Sequence, residues 1–240
     1  MVPVFSTGIP SRGSFVYTKD SRGISKHHPL ALRGSDQVSA PGGCTQPPVS
    51  LCSPSVDRVC IFIDGSNFYH ALKDAGLPVH VDFGKLAAKL TGPGRKHFHT
   101  HYYNTPLIRP RRDDPEYEIK EQRCRSQQRF FNALRFIPNL TFKPGRFQRL
   151  PGGGQVEKGV DVMLVIDMLT LAFKDRYDVA ILVSSDADYK HAIERVQFET
   201  GKAVELHQVR GAKAYDLITV ASVYKPITAE TIHECPRSSR

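Results

Sequence analysis

The 240-residue chain reads as an α/β fold, a three-layer α/β/α sandwich around a mainly parallel central sheet. Three observations predict it. Short apolar runs alternate with longer stretches of helical period between residues 57 and 224. Such alternation pairs strands in parallel through right-handed crossovers and places helices on both faces. The runs Val59-Cys60-Ile61-Phe62-Ile63 and Val179-Ala180-Ile181-Leu182-Val183 are apolar at every position, as strands covered on both sides are. The length is enough for one domain with a real core, plus tails.

The elements follow in order. Residues 59–63 form the first strand. Asp64-Gly65-Ser66-Asn67 follows and leads into a helix to about Ala75, with Ser66 or Asn67 as its cap. Residues 82–90 form a second helix, with Phe83, Leu86, Ala87 and Leu90 on one face. Residues 98–104 alternate as a strand does. A long polar helix is expected over 114–136, a strand over 140–147 and a glycine loop over 151–154. Then come a helix over 160–173, a strand over 179–184, a helix over 188–200 and a strand over 202–209. Residues 1–56 are rich in Ser, Pro and Gly and show no sustained period, so they are expected to be disordered or loosely attached. Residues 225–240 read the same way, as a C-terminal tail.

Composition narrows the function. No apolar run approaches the roughly 20 residues that span a bilayer, so no membrane partner is expected. The five cysteines are odd in number and form no CxxC pair. Neither a disulfide framework nor a zinc site is indicated, and a reducing, cytoplasmic setting is the plain expectation. The net charge of +9 favours a polyanion, RNA first and DNA second. A homo-oligomer contact or a protein partner, if the chain has one, is expected through the N-terminal segment.

Ligands of open parallel sheets sit outside the carboxyl ends of the strands. Asp64 directly follows the first apolar strand; Asp186 and Asp188 directly follow the strand at 179–183. Asp161 opens the helix over 160–173, at the positive end of its dipole. Four carboxylates gathered there repel one another unless a cation neutralises them. Hard oxygen donors suit Mg²⁺ or Mn²⁺, and such an ion serves phosphodiester hydrolysis. The plainer reading is that each acid is a cap or turn former. Asp167 lies two turns beyond Asp161 and is expected to point away; Asp178 precedes its strand, at the wrong edge.

At this point the motifs become recognisable. Val59-Cys60-Ile61-Phe62-Ile63-Asp64-Gly65-Ser66-Asn67-Phe68-Tyr69 resembles the opening motif of NYN domains, a branch of the PIN-like nuclease superfamily. Lys158-Gly159-Val160-Asp161-Val162 resembles the central motif, and Ala180-Ile181-Leu182-Val183-Ser184-Ser185-Asp186-Ala187-Asp188-Tyr189 the third. The resemblance covers residues 59–224 and implies a PIN-like sandwich with a Mg²⁺- or Mn²⁺-dependent ribonuclease site. It makes Asp64, Asp161 and Asp186 metal ligands and Asp188 the fourth acid. Asn67 positions the cluster or the scissile phosphate. Ser66, Ser184 and Ser185 support carboxylates or phosphate, and Lys158 contacts phosphate or neutralises the acids. Ser185 stands where members of the family often carry glycine.

Basic residues suggest where a nucleic acid would lie: Arg109, Arg111 and Arg112 in a loop, Arg123 and Arg129 along the long helix, then Lys143, Arg146 and Arg149. Phe130, Phe131, Phe136 and Phe142 are expected in the core. His97, His99 and His101 share a strand face and read as half-buried residues rather than metal ligands. The leading function is a metal-dependent ribonuclease acting on single-stranded RNA. The alternative is a binding module, an RNA-binding or scaffold domain with little or no catalysis. An aspartate-nucleophile phosphatase is disfavoured because Ser66 stands where its second acid belongs, and a dinucleotide fold because GxGxxG is missing.

Overall fold

A computed structural model describes residues 56–149, 155–211 and 214–237. Apart from Val56, the expected N-terminal segment lies outside the described residues, as does the glycine loop over 151–154. The first elements are β1 (Arg58–Asp64), α1 (Gly65–Asp74), α2 (Phe83–Thr91), β2 (Lys96–Asn104), α3 (Tyr117–Leu134) and β3 (Leu140–Pro144). A hairpin of β4 (Arg146–Arg149) and β5 (Gln155–Lys158) leads into α4 (Val160–Phe173). After it come β6 (Val179–Val183), a 3₁₀ turn (Ala187–Tyr189), α5 (Lys190–Thr200), β7 (Ala203–Val209), α6 (Tyr215–Ile218), β8 (Val223–Ile227) and α7 (Ala229–His233).

Six strands form one parallel sheet in the order β3-β2-β1-β6-β7-β8. The chain winds outward in one direction from β1 and in the other from β6. The carboxyl ends of β1 and β6 therefore flank the point where the winding reverses, the place where such sheets bind ligands.

Strand alternation divides the core into two layers. Val59, Ile61 and Ile63 of β1 point to the side covered by α1, α2, α3 and α7. Cys60 and Phe62 point to the other side, against Leu164 and Met168 of α4 and Ile193 and Val196 of α5. α4 is apolar almost all round, with Val162, Ile166 and Phe173 left exposed on its outer side. Among the described residues, no helix is long and apolar enough to cross a membrane.

Three expectations need correction. The run over 140–147 is broken at Gly145: β3 ends at Pro144 and the chain re-enters as the antiparallel β4–β5 hairpin. A Cβ on Gly145 would sit 2.3 Å from Thr105 Oγ1 and 2.6 Å from Val160 Cγ2, so only glycine fits between the end of β2 and the start of α4. The described part of the expected tail, residues 225–237, is not separate, because β8 is the edge strand of the main sheet and Ile232 and Cys235 are buried in its core. Pro226 fits there since an edge strand has one side free of ladder bonds. Phe136 is 86% exposed, unlike buried Phe131, on which half-buried Phe142 stacks at 4.2 Å.

Buried Glu205 of β7 ties the far side of the sheet together. It accepts from Arg95 Nη1 at 2.7 Å and Lys225 Nζ at 3.0 Å, with His207 Nε2 at 3.3 Å. Arg95 also donates to the carbonyls of Thr91 and Leu90, closing the end of α2. Burial alone would push the Glu205 carboxyl up, but the hydrogen bonds from His207, Arg95 and Lys225 outweigh it and hold it well below the ordinary 4.5. This stabilisation is present above pH 4.5 and is lost as pH falls below it. Replacing Glu205 by Gln leaves the Arg95 guanidinium half-paired, so stability is expected to drop by about 3 kcal/mol, measured by urea unfolding at pH 7. The variant should also lose part of the acid sensitivity between pH 5 and 3.

Candidate active site

Asp64 ends β1 and caps α1. Its Oδ1 accepts the Asn67 backbone N–H at 3.0 Å, so the cap is Asp64 itself and not Ser66 or Asn67. Gly65 is needed beside it: a Cβ there would meet the Tyr102 ring at 2.3 Å. Asp64 is only 4% exposed. Its second oxygen, Oδ2, faces the Tyr189 hydroxyl at 3.1 Å and the Ser184 hydroxyl at 3.5 Å.

Asp186 follows β6 and caps the 3₁₀ turn, accepting the Asp188 N–H at 3.0 Å while its own N–H donates to Ser184 Oγ at 3.1 Å. Asp161 lies in the first turn of α4. Left-handed Gly159 (φ 89°) precedes that helix, and no side chain caps it. Carboxylate oxygens of Asp64, Asp161 and Asp186 lie within 4.8 Å of one another. Asp188 is not part of this trio; it is exposed and supplies a backbone donor to Asp186.

Asn67 clamps two strand ends together, since its Oδ1 accepts the Ser185 N–H at 2.8 Å while its N–H serves Asp64. Gln208 Nε2 donates to the Ser184 carbonyl at 3.3 Å from the neighbouring strand. The resulting cleft of about 330 Å³ is lined by Asp64, Ser66, Asn67, His70, Lys158 and Asp161, with Asp186 at its wall. Lys158, at the end of β5, stands exposed at the mouth.

Tyr189 and His70 were not singled out by the sequence. Tyr189 is buried, and its hydroxyl reaches Asp161 Oδ1 at 2.9 Å as well as Asp64. Its position three residues after Asp186 was the available signal; only packing shows that the ring turns back under the cleft. A hydroxyl carries one proton, so it donates fully to one carboxylate at a time. Burial pushes the Asp64 carboxyl up to about 6; the charges of Asp161 and Asp186 act in the same direction, and hydrogen bonds from Asn67 and Tyr189 hold it back. The Tyr189 hydroxyl is raised, first by burial and then by the two carboxylates.

The basic residues divide. Lys143 pairs with Asp167 at 2.6 Å, which also accepts from Tyr103 at 2.7 Å. Asp167 is thus outside the trio, as the helical spacing predicts, and Lys143 is committed to it. Asp178 is bound by Arg58 at the opposite strand edge. Arg109, Arg111, Arg112, Arg123, Arg129 and Arg146 are exposed. Arg149 pairs through its backbone with Gln155 in the hairpin. His97 and His99 are half-buried and bonded to Thr100 and Thr141.

A sequence model of the NYN domain matches residues 58–228. The chain belongs to the NYN domain family. Among solved structures, this NYN domain is similar to a protein of unknown function from Vibrio parahaemolyticus. The two are 22% identical with a TM-score of 0.55, over 73% of this chain and 95% of that one. At that identity the likeness speaks for the fold alone. No curated protein matches the chain.

Two outcomes are expected from this geometry. Asp64 binds its proton more tightly folded than unfolded, so its contribution favours the fold fully below pH 3.8 and is lost as pH rises through about 6. In EDTA, the melting temperature should fall between pH 5 and 7, and Asp64→Asn should flatten that slope. Tyr189→Phe leaves two carboxylates without their shared donor and should lower stability in EDTA by about 1–2 kcal/mol. Millimolar Mn²⁺ should recover part of the loss, read as a melting shift.

Proposed function

We propose that this NYN domain is a metal-dependent ribonuclease that hydrolyses phosphodiester bonds of single-stranded RNA. The reading is carried by one observation: three carboxylates from three separate segments meet within 4.8 Å at the strand edge where the sheet's winding reverses. A donor set of carboxylate oxygens alone fits Mg²⁺ or Mn²⁺. Asp64, Asp161 and Asp186 would hold the ion. When bound, it supplies charge stabilisation at a phosphoryl oxygen and a lowered pKa for water.

The chain's own residues supply the rest. Lys158 and the uncapped N–H groups of α4 offer positive potential beside the acids, where a phosphodiester would otherwise be repelled. Asn67 holds the turn after β6 against α1, and so fixes the spacing between Asp64 and Asp186. Tyr189 fixes the spacing between Asp64 and Asp161. Asp188 enters this reading as an exposed acid at the rim. A cytoplasmic setting is part of the proposal, supported by the free thiols of Cys60, Cys124 and Cys235.

The test is a Mn²⁺ and Mg²⁺ titration with labelled RNA and DNA oligomers. The unmutated chain should cleave single-stranded RNA only with a divalent ion. Asp64→Asn and Asp186→Asn should each slow cleavage by about 100-fold or more, the equivalent of losing a few kcal/mol of charge stabilisation. If both variants cleave as fast as the unmutated chain, the nuclease reading fails.

A further inference from the structure

A second cavity, of about 670 Å³, opens between the loop after β2, the start of α3 and the β4–β5 hairpin. It is twice the size of the acid cleft and within the range of about 300–1,000 Å³ typical of small-ligand sites. Its wall combines two chemistries. Leu107, Cys124 and Phe147 make it apolar, while Arg109, Arg111 and Arg123 bring three guanidinium groups to it. Among the described residues none of these three arginines pairs with an acid. The cavity's Lys120 is instead held by Asp114 at 2.9 Å and by Glu116 at 3.2 Å, so Asp114 is neutralised and Asp113 is the other acid on the wall. A flat aromatic beside unpaired guanidinium groups suits a nucleobase with its phosphate.

The cavity is joined to the acid cleft by the hairpin. Lys158 lines the cleft and pairs across the strands with Arg146; Phe147, the next residue, lines the cavity. Paired strands lie about 4.8 Å apart and successive Cα atoms 3.8 Å apart, so the backbone positions of Lys158 and Phe147 are under about 10 Å apart, with their side chains on opposite faces of the hairpin. Gly145, wedged between Thr105 and Val160, locks the root of the arginine loop to the start of α4.

We infer that this cavity is a nucleotide subsite: it takes an unpaired base and its phosphate from the polynucleotide strand whose scissile bond lies in the acid cleft. The base stacks on Phe147 and the phosphate meets Arg109, Arg111 and Arg123. An unpaired base is required, because a base held in a duplex has neither face free for Phe147. The subsite rests on reading the acid cleft as the cleavage centre, but its occupancy does not require cleavage.

The experiment is fluorescence anisotropy of the full chain in EDTA with a labelled 12-nucleotide single-stranded RNA. The arms are the same strand as a duplex, a mononucleotide competitor, and the variants Arg109→Glu/Arg123→Glu, Phe147→Ala and Lys96→Glu. Lys96 lies exposed at the opposite strand edge and controls for charge reversal away from the cavity; it changes the net charge by about two units against about four in the double variant, so net charge alone would cost the double variant no more than about the square of the Lys96→Glu effect. The double charge reversal should weaken binding by about 10-fold or more while Lys96→Glu changes it by less than about 2-fold. Phe147→Ala should weaken it by about 5-fold or more. Melting curves report folding, and Phe147→Leu replaces Phe147→Ala if the hairpin loosens. The subsite is overturned if the strand does not bind, if the double variant loses no more than the square of the Lys96→Glu effect, or if neither Phe147 variant weakens binding. It is also overturned if the duplex binds as tightly, or if the mononucleotide competes as well as the strand. Binding as expected without cleavage under any divalent ion overturns the nuclease reading and leaves the subsite standing.

Discussion

Three carboxylates within 4.8 Å repel one another, and burial adds to the cost of the charge on Asp64. The surroundings of the β1–β6 edge are arranged to offset that repulsion. Asp64 accepts the Asn67 N–H at the start of α1, Asp186 accepts the Asp188 N–H of the 3₁₀ turn, and Asp161 sits in the positive first turn of α4. Tyr189 places one hydroxyl between Asp64 and Asp161. Capping and clustering are therefore not alternatives here. The caps make the cluster tolerable, and the cluster leaves room for a cation to complete the compensation.

The sheet explains why these groups meet. Parallel strands all end on one edge, and the reversal of winding between β1 and β6 leaves no crossover helix over the gap between them. Two apolar layers, one on each face, hold β1 and β6 rigid beneath the acids. The Glu205 network secures the far half, binding α2, β7 and β8 through one buried carboxylate. The site is thus a small acidic patch in a chain whose net charge is +9. On the proposed nuclease reading, such a contrast suits a strand drawn in by its phosphates and a metal held at one point along it.

Much of this was legible in the chain itself. Continuous apolar runs at residues 59–63 and 179–183 marked the two central strands, because strands buried on both faces have no polar side. The strand-end rule then placed Asp64 and Asp186 at one edge. The edge strand β8 was not legible, since only Ile227 of its five residues is buried and Pro226 interrupts the pattern. The hairpin was hidden because a continuous strand-like pattern spans Gly145, where the chain turns for steric reasons set by Thr105 and Val160.

The sequence by itself determined the fold class, the order of the elements from β1 to β7 apart from the β4–β5 hairpin, and the acids that stand at strand ends, because periodicity and strand-end position are properties of the chain alone. Only the tertiary structure decided which of those acids meet. Asp161 joins Asp64 and Asp186 because α4 packs across β1, whereas Asp188 stays outside because the 3₁₀ turn directs it to solvent. Tertiary packing also committed Lys143 to Asp167 and brought Tyr189 under the carboxylates. These choices depend on the rotation of helices against the sheet, set by contacts between residues far apart in the chain, which no local pattern carries.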